Sequence, residues 1–511
     1  MTPSSLAYAP QPGNRADTHP TTAPAPRESI YNAPDFYAPG TGRTRTKAET
    51  LLNDGYVKIT QQAKWDIYAQ PPKIERVTLT LETGNAADTL HVGNNPDGSL
   101  QVQINGKSYR FDAKGKNGEP IELHIKTNGG HDHLTISPTV DNPVTFEGGD
   151  GDDTFIAGAG RTRALGGAGD DKLWLGSGTG YAEGNDGDDL IVGGTGNTVI
   201  YGGNGKDHLY AGIGPAGKQS YVDGGSGDDH LYAGSGHSVL HGGKGDDHLL
   251  GTDRTTFYTG KGRDRIWNNR PGDLIYAKAG DAYDRSQGSK FVEVKPSFAG
   301  NQGFKVSGRP EFKQRVDDDF EFLRSSPNGQ KILRDMDKEA LKAGGKVEIQ
   351  ESTDGSHYLF RSRELGRAQR AGELNISAKD PRSGVITHNR PGSRADAGVV
   401  YYDPTVSGDE RGLLFIPPVV GLVHEIGHAY NGATGTNLPG KTSERSAYDP
   451  AFKDTVKNVE FQVVGLPGST AQPFDFDNDP STPPTTINPE HFTENGMHRE
   501  MGRPLRKSYL V

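Results

Sequence analysis

The chain has 511 residues, a net charge of −10 at neutral pH and no cysteine; 71 residues are glycine and 32% are hydrophobic. These figures exclude disulfide and thiol chemistry, argue against a nucleic-acid partner, and rule out one conventional core spread over the whole chain. No apolar stretch reaches the ~18 residues of a membrane helix, so no membrane span is expected.

Residues 1–45 read as a disordered N-terminal export segment. Eight of the first 40 residues are proline, and the first acidic residue is Asp17. Low hydrophobicity and missing periodicity give such a stretch nothing to bury. Its Ser/Thr/Pro-rich start is similar to bacterial type III export signals, which implies a secretion machinery as partner and a secreted, host-translocated destination.

Residues 46–295 are expected to form a β-solenoid. Alternating apolar residues mark strands at Val77–Leu81, Leu90–Val92, Leu100–Ile104 and Leu123–Ile125. A glycine repeat then begins, clearest over 147–265, where 33 of the 71 glycines fall. Six-residue units start at Gly148, Gly166, Gly184, Gly202, Gly224, Gly242 and Thr259, mostly 18 residues apart. Each pattern reads GGxGxD, an apolar strand, a second glycine turn and another strand. Eighteen is two nine-residue turns of a parallel β-roll, and the pattern resembles the RTX calcium-binding repeat. The stretches Thr83–Leu90 and Asn128–Leu134 look like worn turns of the same coil.

The aspartates that close the units are Asp153, Asp171, Asp189, Asp207, Asp229, Asp247 and Asp264. At this step they stack on one edge. Carboxylate and carbonyl oxygens are the hard ligands that Ca²⁺ requires, and a column of like charges needs a cation. The alternate turns, such as Ala157–Gly160 and Ala233–Gly236, lack the aspartate, so one calcium row is expected. His133, His208, His230 and His248 share a repeat position and are expected to face solvent without a function.

Residues 296–511 change character to a compact α+β domain. Phe312, Val316 and Phe320 have helical spacing, as do Ile332, Leu333 and Met336 after a Pro-Asn-Gly break. Strands are expected at 346–350, 358–361 and 399–402. The sharpest motif is His424-Glu425-Ile426-Gly427-His428. Pro417 and Pro418 mark a helix start, and Asn431-Gly432 is read as its end. On a helix, His424 and His428 lie one turn apart on one face. Two imidazoles suit Zn²⁺, and Glu425 beside them can take a proton from an activated water.

A third ligand is required. Asn431 and Thr434 stand where a metzincin has glycine and histidine, which excludes the serralysin type. A glutamate on a later helix is the gluzincin solution: Glu460 is preferred and Glu494 is the alternative.

Further residues carry a family resemblance. His424–Tyr430, Val464–Pro467, Thr493–Gly496 and Gly502–Tyr509, with the Phe312–Leu333 block, resemble the NleD-like type III effector metalloproteases over about residues 300–511. The resemblance implies a zincin-like metalloprotease fold, His424 and His428 as zinc ligands, Glu425 as base, and Glu460 as third ligand. It implies that Asn495, Arg506 and Tyr509 support the site. It also implies a protein substrate, a host mitogen-activated protein kinase. One departure is His498, where the family tends to have arginine.

The chain is therefore expected to be multidomain: a disordered N-terminus, a parallel β-roll and a zincin-like domain, with Zn²⁺ and Ca²⁺ as cofactors. The expected function is a secreted or translocated zinc endopeptidase with an accessory calcium-binding roll. The alternative is a calcium-binding surface or matrix protein whose protease-like domain is inert.

Overall fold

A computed structural model describes residues 29–34, 44–353, 355–373, 377, 379–406, 408, 414–447, 451–477 and 479–510. Apart from 29–34 and 44–45, the expected export segment lies outside the described residues. The chain divides into two compact units, 1–208 and 209–511. Between them they hold about ten turns of a β-solenoid, over residues 123–293.

The first unit opens with three antiparallel strands, Thr44–Asn53, Lys58–Asp66 and Lys73–Glu82. They precede the parallel coil and replace the solenoid turns expected from residue 46. A long antiparallel meander pairs its own strand edges, which the first turn of a coil cannot do alone. Parallel pairing starts at Lys73–Glu82, which runs beside Glu122–Lys126. Inward columns then follow the register: Ile125, Phe146, Ala164, Ala182 and Ile200 on one sheet. Leu90, Leu134, Phe155, Leu173 and Ile191 line the other. All ten are buried. Phe146 and Phe155 stack across the coil at 4.9 Å.

Glycine is obligatory where turns touch. Gly167 has φ +124°, and a Cβ there would run into the Gly149 carbonyl of the turn below.

The second unit combines turns of the roll with the C-terminal domain. Strands Gln219–Ser226, His237–Lys244, Arg254–Tyr258, Leu274–Ala277 and Lys290–Glu293 pair in parallel. His230–Tyr232, His248–Leu250 and Arg265–Trp267 form the facing sheet. The histidines of the repeat position are half-buried or exposed, and the His230 and His248 rings lie 4.8 Å apart.

Residues beyond the roll form helices α1 (Pro310–Ser325), α2 (Pro327–Ala343), α3 (Arg363–Arg370), α4 (Pro418–Thr434), α5 (Asn458–Val464) and α6 (Glu494–Glu500). A four-stranded sheet has the order Phe304–Ser307, Val347–Glu351, Val399–Tyr402, His357–Leu359, with only the last strand antiparallel. Prolines at their first positions start α1, α2 and α4. Ser326 caps α2 by accepting from Gly329 N. α4 continues past the expected stop at Asn431-Gly432 and ends at Gly435, which has φ +73°. The reason is packing: Asn431 is fully buried and accepts from Gln462, and Gly432 lets the Tyr358 hydroxyl approach the helix.

α1 rests on the outer face of the roll's last turns. Phe322 is fully buried among Tyr221, His241 and Tyr258, with ring centroids 5.8, 5.4 and 4.7 Å away. Lys244 pairs with Asp317, and Lys261 with Glu321, each at 2.6 Å. Strands His237–Lys244 and Arg254–Tyr258 are accordingly buried on both faces, unlike a free roll. Truncating Phe322 to alanine is expected to cost about 3–5 kcal/mol. Denaturant unfolding of the full chain measures this loss.

Candidate metal centres

α4 presents His424 and His428 on one face with their Nε2 atoms 3.1 Å apart. α5 brings Glu460 against them: its Oε2 lies 3.2 Å from His428 Nε2 and 3.4 Å from His424 Nε2. These three atoms form a metal-sized group, all within 4.8 Å of one another. Glu494, at the start of α6, approaches the other side of His424, 2.5 Å from Nδ1. A proton on Nδ1 leaves the lone pair of Nε2 facing the group. Two imidazole nitrogens and a carboxylate oxygen, all with lone pairs directed inward, suit a zinc ion.

The other predicted residues lie around this group. Glu425 is buried, and its Oε2 has no hydrogen-bond partner. Burial raises its carboxyl pKa. Burial would also raise Glu460, but hydrogen bonds from His424 and His428 outweigh it and hold that carboxyl well below the usual range. Arg506 donates from Nη1 to both oxygens of Glu494 at 3.0 Å. Against its burial, the Arg506 charge brings Glu494 down to about 2. Asn495 grips the main chain of Arg506, accepting from its N–H at 2.7 Å and donating to its carbonyl at 3.1 Å. Tyr509 donates its hydroxyl to Glu460 Oε2 at 3.3 Å. His498 does not join the group. Its Nδ1 is 2.7 Å from the Pro504 carbonyl, so it holds the turn that leads to Arg506.

Three supporting residues escaped the motif reading. Gln462 is fully buried; it donates to Asn431, Thr436 and Asn488 and accepts from Leu438 N, which ties α5 to α4. Glu444 accepts the N–H groups of Tyr509 and Leu510, which fastens the C-terminal segment. Gly427 allows close packing, since a Cβ there would press on Phe492 O at 3.0 Å and Val463 at 3.2 Å. Among these, only a glycine inside a helix motif is visible in a sequence.

The roll carries a second type of centre. In the first unit, each main-chain N–H of Asp132, Asp153, Asp171 and Asp189 donates to Oδ1 of the aspartate one repeat later, at 2.7–2.8 Å. In the second unit Asp229 and Asp247 do the same to Asp247 and Asp264. Asp88, Asp132 and Asp281 take part as well, through Asp88 N to Asp132 Oδ1 and Asp264 N to Asp281 Oδ1. Oδ2 is left over. In Asp153, Asp171, Asp189 and Asp247 it is buried without a partner. It lies against the first glycine of the repeat, whose missing Cβ permits the approach. A Cβ on Gly148, for example, would meet Asp153 Oδ2 and the Gly166 carbonyl oxygen. The same close approach occurs at Gly166, Gly184 and Gly242.

Unpartnered carboxylate oxygens beside main-chain carbonyl oxygens are the ligand types that suit calcium. Burial, with neighbouring carboxylates, pushes Asp153 up to about 7, Asp171 to about 8 and Asp189 to about 9. A divalent cation removes that penalty. A second, exposed ladder was not anticipated. Asp152, Asp170 and Asp188 accept the N–H groups of Asp170, Asp188 and Lys206 at 2.8–3.0 Å, with the opposite polarity along the coil.

Two families account for these two parts. Residues 147–181, 183–215 and 223–253 match the RTX calcium-binding nonapeptide repeat, and residues 300–509 match the family Peptidase M91, described as effector protein. The chain thus joins repeats that match a calcium-binding family to a C-terminal region that matches a peptidase family. The C-terminal match agrees with the resemblance that the NleD-like motifs carry. No curated protein and no solved structure matches the chain.

Replacing Gly184 by alanine would set a Cβ against Asp189 Oδ2 and the Gly202 carbonyl oxygen. Overpacking of this kind is expected to destabilise the roll by about 1–3 kcal/mol. Urea unfolding followed by circular dichroism measures it.

Proposed function

We propose that the chain is a zinc endopeptidase of the effector type, exported by its bacterium, with the roll as an accessory calcium-binding element. The convergence of His424 Nε2, His428 Nε2 and Glu460 Oε2 carries this reading. When bound, zinc supplies Lewis acidity to the scissile carbonyl and to the water that attacks it.

Glu425 is the general base. Its unpartnered Oε2 takes a proton from the attacking water as the new C–O bond forms. The same oxygen returns a proton to the amide nitrogen as the C–N bond breaks. Glu494 is a positioning residue: it holds the Nδ1 proton of His424 and so directs Nε2 inward. Arg506 keeps Glu494 ionised, and Asn495 keeps Arg506 in place. Tyr509 orients the Glu460 carboxylate through its hydroxyl. The resemblance to NleD-like effectors supports a host mitogen-activated protein kinase as the substrate and delivery into a host cell.

Glu425→Gln is expected to lower cleavage of such a kinase by about 10²–10⁴-fold. About one equivalent of zinc should remain in metal analysis; an active variant would overturn the assignment. A chain that purifies without zinc and cleaves nothing would favour the surface-protein alternative. Glu460→Ala is expected to lose zinc outright. Glu494→Gln should retain it with affinity lowered on the order of 10–100-fold. Competition with a chromophoric chelator separates the two, and the reverse order would exchange their roles.

A further inference from the structure

The last repeat departs from the others in two ways. First, its unit begins with Thr259 instead of glycine. In the preceding repeats the missing Cβ of the first glycine lets the aspartate Oδ2 and a neighbouring carbonyl oxygen close up against it. At Thr259 a side chain stands at that position, and its Oγ1 donates to Asp281 Oδ2 at 2.6 Å. Second, Asp264 Oδ2 is not left over. Lys278 brings its Nζ to 2.9 Å from Asp264 Oδ2 and 3.5 Å from Asp281 Oδ2, and donates to the Gly260 carbonyl. Carboxylate and main-chain carbonyl oxygens are also what meet at the first glycine beside Asp153, Asp171, Asp189 and Asp247, where Oδ2 has no hydrogen-bond partner.

We propose that the calcium row ends at Asp247 and that the Lys278 ammonium, with the Thr259 side chain, takes the cation position of the last repeat. This rests on the reading of the roll as a calcium binder and revises the expectation that Asp264 offers its free oxygen to calcium. Asp264 and Asp281 are buried, so they require a positive charge there. A lysine held by its own main chain supplies that charge at any calcium concentration.

The position matters because the C-terminal domain is fastened to these turns. Lys261 pairs with Glu321 of α1. The hydroxyls of Tyr258 and Tyr276 donate to Glu500, at the end of the helix that begins with Glu494. Extracellular calcium sites are commonly half-filled at about 10⁻⁴–10⁻³ M, far above cytosolic calcium. The lysine clamp therefore keeps the turns that carry the peptidase ordered where the other repeats are calcium-free.

Hydrogen exchange of the full chain, with calcium and with chelator, tests this directly. In chelator, residues 148–192 should exchange at least about tenfold faster, while residues 254–278 keep their protection. Equal loss in both segments would overturn the proposal. Lys278→Met should remove the protection of 254–278 in chelator; unchanged protection would likewise overturn it. The double variant Thr259→Gly, Lys278→Met should bind about one more calcium than the parent by native mass spectrometry, since it restores the glycine of the other repeats and removes the resident charge. An unchanged count again overturns it. A parent that binds no calcium overturns the calcium reading of the roll instead, and the Lys278→Met exchange comparison still decides the clamp.

Discussion

Lone pairs gathered inside the protein, some of them with no protein donor, govern both parts of this molecule. Leaving a carboxylate oxygen inside a protein without a partner is costly, and the cost disappears when a cation or a reacting proton arrives. In the roll, main-chain N–H groups satisfy one oxygen of the stacked aspartates and leave Oδ2 of Asp153, Asp171, Asp189 and Asp247 buried without a partner. In the C-terminal domain, α4 and α5 aim two imidazole nitrogens and one carboxylate oxygen at a common point, with Glu425 Oε2 unpartnered nearby. The glycines, the caps and the C-terminal segment serve to hold these atoms where they are.

The two parts reach the same end by opposite means. The roll is repetitive, so each centre is built from one repeat and its neighbour. Glycine permits the close approach and the backbone conformation, and the aspartate provides the charge. The peptidase centre is assembled from three helices and the C-terminal segment, and its precision comes from relay. Asn495 fixes Arg506, Arg506 fixes Glu494, and Glu494 fixes His424. Gln462 fixes the helix of Glu460 against the helix of the histidines. Asn495, Arg506, Glu494 and Gln462 are buried, so each of their bonds is strong and each loss leaves a group unsatisfied.

The last turns of the roll and the peptidase share one body. Phe322 fills a pocket made by roll aromatics, and Glu500 joins Tyr258 and Tyr276 to the helix of Glu494. A roll that depended wholly on calcium would pass its disorder to the catalytic helices through these bonds. A lysine in the final cation position isolates the peptidase from the calcium level around it.

Much of this was legible without coordinates, because the signals are local. The GGxGxD spacing determines a parallel roll with aspartates on one edge, since glycine dihedrals and an 18-residue step admit little else. His424, Glu425 and His428 share a helix face because four residues make about one turn. The spacing of Phe312, Val316 and Phe320 located the first helix for the same reason. What only the tertiary structure decided is everything that couples residues far apart in the chain. Glu460 and Glu494 look alike in sequence, each on a short helix after the motif. Packing brings one to the imidazole Nε2 atoms and the other to Nδ1 with Arg506 behind it. The run of α4 to Gly435 was set by the burial of Asn431 against Gln462, which overrides the local stop signal. Lys278 is one basic residue among many until the coil returns it to Asp264, because a charge acquires a role only from what the fold places within reach of it.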